Sequence, residues 1–435
     1  MREASVDASL VDSDGPLGGP LLGGDQTETM MKPKASWKRI TFVIITSFLG
    51  AGVLSLPYSL SQLGYVPFYL LLFFVCVGSI IASDCYGRLY HACPKAKVLA
   101  DVAYAAYGPL GRKITRAMVM IYLGGIVIIF HLTSTISLKE VVGEGCASLL
   151  GLVVGLLAFC ALQARSMHDL SFISMIGSAA IIIPCAMLLV AIPVRGQRDG
   201  ATTDVLWCSH STVVKKGVGA MDLTFAYAGQ VVFIELQNTM AQPKDFMKSV
   251  YSSSTVMTLT YAAVAAVGYH FVGRHDLRDG QPITTKLAKG SPTLIIINAF
   301  VFIHVLIAYA VEGNILSRGI LNVIGRDEAA EAQTKAARAT WMAVTLSLVF
   351  GCYMIANLVP FFSDLMSLVS AICGVALNFT FPILFVLKLS PPESMMVRIF
   401  FKLFVLVSAL VALAGTAASG IDIASKIEIN PPFTC

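Results

Sequence analysis

Eleven stretches of this chain are apolar over about the 20 residues an α-helix needs to cross a bilayer, and nothing constrains the fold more. They lie at 38–62, 65–89, 114–139, 145–163, 170–193, 216–240, 247–272, 292–317, 337–358, 362–387 and 397–419. Hydrocarbon offers no partner to a backbone amide, so a spanning segment must satisfy its own, and helices do so. The predicted fold class is therefore an all-α polytopic membrane protein of about 11 transmembrane spans. Charge content agrees: 13% of residues are charged and 56% hydrophobic, where soluble domains run about 25% charged.

Three units are expected. Residues 1–36 are rich in Gly, Asp, Ser and Pro without periodicity and read as a disordered cytoplasmic tail; they carry no apolar run of the kind a cleaved signal peptide needs. Residues 37–420 form the transmembrane domain, and 421–435 a short extracytoplasmic tail. With the N-terminus inside, 21 of the 31 Lys and Arg fall on the cytoplasmic side and 10 on the other, the bias that the positive-inside rule requires. The net charge of +5 thus belongs to loops flanking spans and is no signal for nucleic acid. Between the second and third spans, 98–107 alternates apolar and small residues and predicts a short helix lying on the cytoplasmic face. Cys146 and Cys208 fall in loops expected on one non-cytoplasmic side, where a disulfide is permitted but not required.

The first span is interrupted by Gly50-Ala51-Gly52-Val53-Leu54-Ser55-Leu56-Pro57. Two glycines and a proline release backbone groups from the helix, which is tolerated in a membrane only where they are buried or line a cavity; close packing of small residues is the other reading. The sixth span carries Phe225-Ala226-Tyr227-Ala228-Gly229, followed by Glu235, Gln237 and Pro243. Spans one and six head five-span units of opposite orientation, and paired broken helices at such positions point to a transporter's substrate site. Half-helix N-termini attract an anionic group. Amides at Ala51, Gly52 and Val53 are expected to hold a substrate carboxylate, and carbonyls of Phe225, Tyr227 and Ala228 its ammonium.

Those two segments resemble the amino acid/auxin permease family, the second most closely its plant lysine–histidine transporter and amino acid permease branch; 298–309, with His304 and Tyr309, is similar to that branch's eighth span. The resemblance covers about 37–420. It implies a LeuT-like fold, an inverted 5+5 repeat plus one extra helix with helices 1 and 6 broken, and amino acid import coupled to protons or sodium. It matches Gly50 to Gly52, Tyr227 and Ala228 to the family's unwound stretches.

A charge within the bilayer calls for a partner or a role. Glu235, just beyond the second break, is the expected coupling or gating group, loading and releasing a proton. His304 and Glu312, eight residues apart, share one helical face; His304 is a second coupling candidate, while Glu312 is expected to pair with a loop arginine. His131 is ambiguous, and Tyr122 has the depth to close over a substrate. Asp84, Asp222 and Asp364 fall near span ends and read as interfacial. No nucleophile, metal or phosphate-loop motif is present, so the chain is expected to be no enzyme, with no cofactor and no metal. The expected function is secondary active amino acid transport, by proton symport, with a sodium-coupled carrier or an amino-acid-sensing receptor using the same pocket as alternatives. The protein is expected as a monomer in the plasma membrane or a vacuolar or lysosomal membrane.

Overall fold

A computed structural model describes residues 35–165 and 167–429; the N-terminal tail at 1–34 and the last residues, 430–435, lie outside the described residues. Among the described residues there are fourteen α-helices and no strand beyond one isolated bridge between Ala35 and Met240. Eight helical stretches among them are long and apolar enough to cross a membrane, and two shorter apolar ones accompany them. The first apolar segment adds two 12-residue pieces, α1 (Trp37–Phe48) and α2 (Gly52–Leu63).

Local chemistry sets the boundaries. Ser36, Thr212, Ser291 and Thr334 cap α1, α7 (Val213–Phe225), α10 (Pro292–Val323) and α11 (Lys335–Leu358) with their hydroxyls, each satisfying an amide left bare at a helix start. Gly64, at φ 89°, ends α2 and turns the chain into α3 (Tyr65–Ala92). Helix α4 (Leu99–Val142) is kinked at Gly108, where φ is 68°, directly before Pro109. The kink sets a short N-terminal helix over 99–107 apart from the spanning part, as the alternating pattern predicts. The remaining elements are α5 (Ala147–Leu162), α6 (Met167–Arg195), α8 (Phe233–Thr239), α9 (Phe246–Val272), α12 (Phe362–Val369), α13 (Phe381–Leu389) and α14 (Met395–Ile429). Between α12 and α13 the helix widens into two π turns, Ser370–Gly374 and Ala376–Thr380.

All twelve residues of α2 are buried. It packs against α7 and α9, while α1 packs against α9 and α6. Around this centre an outer belt of large apolar side chains is exposed: Phe73 and Phe74 on α3, Leu149 and Leu156 on α5, Leu346 and Phe350 on α11, Leu410 and Leu413 on α14. Such a girdle is a lipid-facing surface, since a water-soluble chain rarely exposes apolar area on that scale.

Loop 196–212 straps the end of α2, the start of α3 and the end of α9. Backbone amides of Tyr65 and Val66 donate to Asp204 and Val205, the Asp204 carboxylate takes the Arg274 guanidinium at 2.8 Å, and Arg198 pairs with Asp276. Cys208 does not pair with Cys146: it is a buried free thiol whose amide donates to the Leu63 carbonyl.

Candidate substrate and coupling site

Both predicted breaks are present. Helix α1 closes with the Leu49 amide on the Ile45 carbonyl, Gly50 and Ala51 leave the helix, and α2 starts at Gly52. Helix α7 stops at Phe225; after Ala226–Gly229 a 3₁₀ turn at Gln230–Val232 leads into α8. The two breaks interlock. A Cβ on Gly52 would stand 3.1 Å from Ala226 Cα, and one on Gly229 would collide with the Phe48 ring. Glycine is required at both positions because backbone and ring already fill the space.

Side chains from neighbouring helices serve the freed backbone. The Tyr261 hydroxyl, from α9, reaches the carbonyls of Ala226 at 2.7 Å and Phe48 at 3.1 Å, touching the broken end of each helix. The Tyr122 hydroxyl, from α4, donates to the Ala228 carbonyl, so this residue does close over the second break. The Val231 amide donates to Asn378 Oδ1 at 3.0 Å, from the second π turn, and the Gly229 amide to Gln230 Oε1 at 3.2 Å. Gly374, in the first π turn, faces the Tyr122 ring and Ala228. Tyr261 and Asn378 do not stand out in the sequence. Tyr261 looks like any aromatic of an apolar helix, and the one signal at Asn378 is an Asn-Phe-Thr sequon placed where no glycosylation could occur.

Of the residues predicted to bind substrate, Ala51, Gly52, Val53, Ala226, Tyr227 and Ala228 are buried, and Gly50, Phe225 and Gly229 partly so. Tyr227 turns its ring away from the break: its hydroxyl meets Thr258 Oγ1 at 2.6 Å and its ring stands edge-on to Tyr261. The Tyr227 contribution to the break is therefore its backbone. The carbonyls of Ala226 and Ala228 are engaged by the hydroxyls of Tyr261 and Tyr122.

One step toward α8 lies a cavity of about 40 Å³ lined by Val231, Glu235 and Glu312, with Asp101, Arg112 and Arg116 on its α4 wall. That volume admits water but not an amino acid. Glu235 of α8 and Glu312 of α10 thus face one space, and Glu235 has both Glu312 and Asp101 as electrostatic neighbours. Arg318, six residues beyond Glu312 on the same helix, binds Glu331 and Asn314 instead. His304 points elsewhere: its Nδ1 is 2.7 Å from the Gly177 carbonyl of α6, an interhelical contact. His131 is buried between the rings of Tyr309 and Tyr353.

Two aspartates depart from expectation. Asp84 is exposed and pairs with Arg88, but Asp222 is 0% exposed and Asp364 1%. They are not interfacial, because α14 runs on past 420 to Ile429 and covers them with its last turns.

The start of α1 and the end of α8 are tied together. Ala35, ahead of α1, donates to Thr239 O at 2.8 Å and accepts from Ala241 N at 2.9 Å, forming the Ala35–Met240 bridge. Ser249 bonds the Trp37 carbonyl and Asn238 that of Ala96.

Residues 33–421 match the family described as "Transmembrane amino acid transporter protein". Among curated relatives, an N amino acid transport system protein of Neurospora crassa is 24% identical over 82% of this chain and 77% of its own. Lysine histidine transporter-like 4 of Arabidopsis thaliana is 25% identical over 64% of this chain and 65% of its own. Among solved structures, a Na+-coupled sialic acid symporter in a substrate-bound outward-open state superposes with a TM-score of 0.51 at 12% identity, covering 89% of this chain and 90% of that one. The likeness is one of fold, and the fold is LeuT-like.

Proposed function

Because this chain belongs to the transmembrane amino acid transporter protein family, we propose that it is a secondary active amino acid carrier working by alternating access, with protons as the coupling ion. One observation carries the reading: a single hydroxyl, that of Tyr261, spans the carbonyl ends of both broken helices. The breaks therefore form one site rather than two separate packing defects. A zwitterion suits it, with its carboxylate on the amides that open α2 and its ammonium on the carbonyls of Phe225 to Ala228. The small side chains at Ala226, Ala228 and Gly229 leave the size of the accepted side chain to the surrounding helices. Glu235, facing the cavity beside Glu312, is the coupling residue in this reading. His304 is engaged between α6 and α10 and has no coupling role in this reading. Eleven spans with an inside N-terminus, and a monomer in the plasma membrane or a vacuolar or lysosomal membrane, complete the proposal.

Radiolabelled uptake into proteoliposomes, with a panel of amino acids at two external pH values and with and without sodium, tests it. Saturable uptake driven by an inward proton gradient, and lost from that gradient in Glu235→Gln, is the expected result. Binding without flux would make the protein a receptor. Uptake that needs sodium and ignores pH would make it a sodium carrier.

A further inference from the structure

On the side of the molecule away from Glu235, a second group of ionisable side chains is enclosed where α7, α12, α14 and α2 meet. Asp222, on the last turn of α7, is 0% exposed; among the described residues neither of its carboxylate oxygens has a hydrogen-bond partner, and the nearby Ser363 hydroxyl donates to the Gly280 carbonyl instead. Its neighbours are Ser363 and Asp364 of α12 and Lys426 of α14. Lys426 is committed elsewhere: its ammonium lies 2.5 Å from Asp364 and 2.8 Å from Asp422. The second orphan is Tyr58 of α2, 1% exposed, whose hydroxyl also lacks a partner. Its ring edge lies against Gly280 beside Ser363, and its electrostatic neighbours are Asp364, Asp222, Asp422 and Asp279. Lys215, near the start of α7, is the other cation in reach of Asp422.

Charge counting then decides what is missing. Asp222, Asp364 and Asp422 would bring three negative charges against two cations, the ammonium of Lys426 and, beside Asp422, that of Lys215. An ionised carboxylate with no donor on either oxygen is among the costliest groups to bury, and so is an unpaired charge left beside a buried ion pair. A single proton on Asp222 removes that charge and supplies a hydroxyl that can donate. A metal ion fits less well, since no group of three or more His, Cys, Asp or Glu among the described residues is placed to hold one, and Lys426 already stands between two of the carboxylates. Asp222 also touches the hinge: its backbone carbonyl accepts from the Ala226 amide at 3.2 Å, across the start of the second break.

We propose that Asp222 is a proton-binding site in the half of the molecule remote from the Glu235 cavity, and that α7 can close against α12 and α14 only when this carboxyl is protonated. Uptake of the proton converts carboxylate to carboxylic acid and changes no other bond. The role in closure rests on the transport reading above; the presence of the proton does not.

Two measurements separate the two claims. Infrared spectra of the purified full-length protein at neutral pH should show a protonated carboxyl component that shifts in D₂O and is lost in Asp222→Asn, but stays in Glu235→Gln and in the exposed control Asp84→Asn. Finding that band unchanged in Asp222→Asn, or finding that sodium rather than pH moves it, overturns the site whatever the protein transports. In proteoliposomes, amino acid uptake by the wild type should rise as the outer pH falls, and Asp222→Asn should lose that dependence. Retention of the full dependence overturns the role in closure. Should Asp222→Asn fail to fold, Asp222→Glu serves both arms, with a displaced band and a shifted pH midpoint expected and an unmoved pair of values contradicting the proposal. A wild type with no saturable flux would refute the transport reading and leave the infrared result to decide the site.

Discussion

Tyr261 shows how little of a site can rest on residues that announce themselves. Its hydroxyl is the donor shared by Phe48 and Ala226, yet nothing in its spacing distinguishes it from packing aromatics on α9. Replacing it with Phe strips both buried carbonyls of their donor, at a cost of about 1–3 kcal/mol. Thermal unfolding of Tyr261→Phe should therefore begin at lower temperature. A saturating amino acid substrate, whose ammonium would take the same carbonyls, should recover part of the loss. Equal substrate-induced stabilisation of wild type and variant would show that the substrate binds elsewhere. The glycines are legible for the opposite reason: Gly50 and Gly52, seven and five residues before Pro57, interrupt an apolar run. Asp222 and Asp364 were misread because the last span was expected to end near 419. Lys426 then falls in a tail, whereas it stands on the helical turn that buries both carboxylates.

At the scale of elements, the breaks, the kink after 107 and the caps follow from Gly, Pro, Ser and Thr at their usual positions. The π turns between α12 and α13 do not, since one extra residue in a turn leaves no compositional mark; they show only through contacts such as Asn378 with Val231. Such turns cluster at functional sites, and this pair lies against Ala228. The tie between the start of α1 and the end of α8 was equally hidden, because a two-residue bridge has no strand pattern. It joins the two broken helices at one end, and its donor is the Ala35 amide. Proline at position 35 removes that N–H. Ala35→Pro should loosen that end, so that a cysteine introduced at Val232, on the cavity wall, is labelled by a membrane-permeant thiol reagent faster than in the parent. Unchanged labelling would mean that the bridge does not latch that end.

Across the whole molecule, the apolar belt and the enclosed polar centre reverse the arrangement of a soluble protein, as the eleven apolar stretches require. Loop 196–212 holds the assembly through charge. Arg198 hydrogen-bonds Asp276 and keeps its carboxyl below the ordinary carboxylate range. A carboxylate so depressed contributes stability that is fully present above its unfolded value of about 3.9 and is lost as pH falls through the lowered one. Amide hydrogen exchange near 274–278 should thus stay constant from pH 7 to about 5, after correction for the intrinsic rate, and rise only below about 4. A rise beginning near pH 6 would assign the strap to another group.

The central claim, that two interrupted helices form one amino acid site, is tested most directly by radiolabelled amino acid counterflow in proteoliposomes carrying wild type or Gly52→Val. The added side chain would push into Ala226 and Phe225, an overpacking that costs about 1–3 kcal/mol and is placed where the substrate must bind. The account predicts saturable exchange by the wild type and none by Gly52→Val, with both proteins reconstituted in equal, correctly folded amounts. Exchange by Gly52→Val at the wild-type rate and affinity would contradict it.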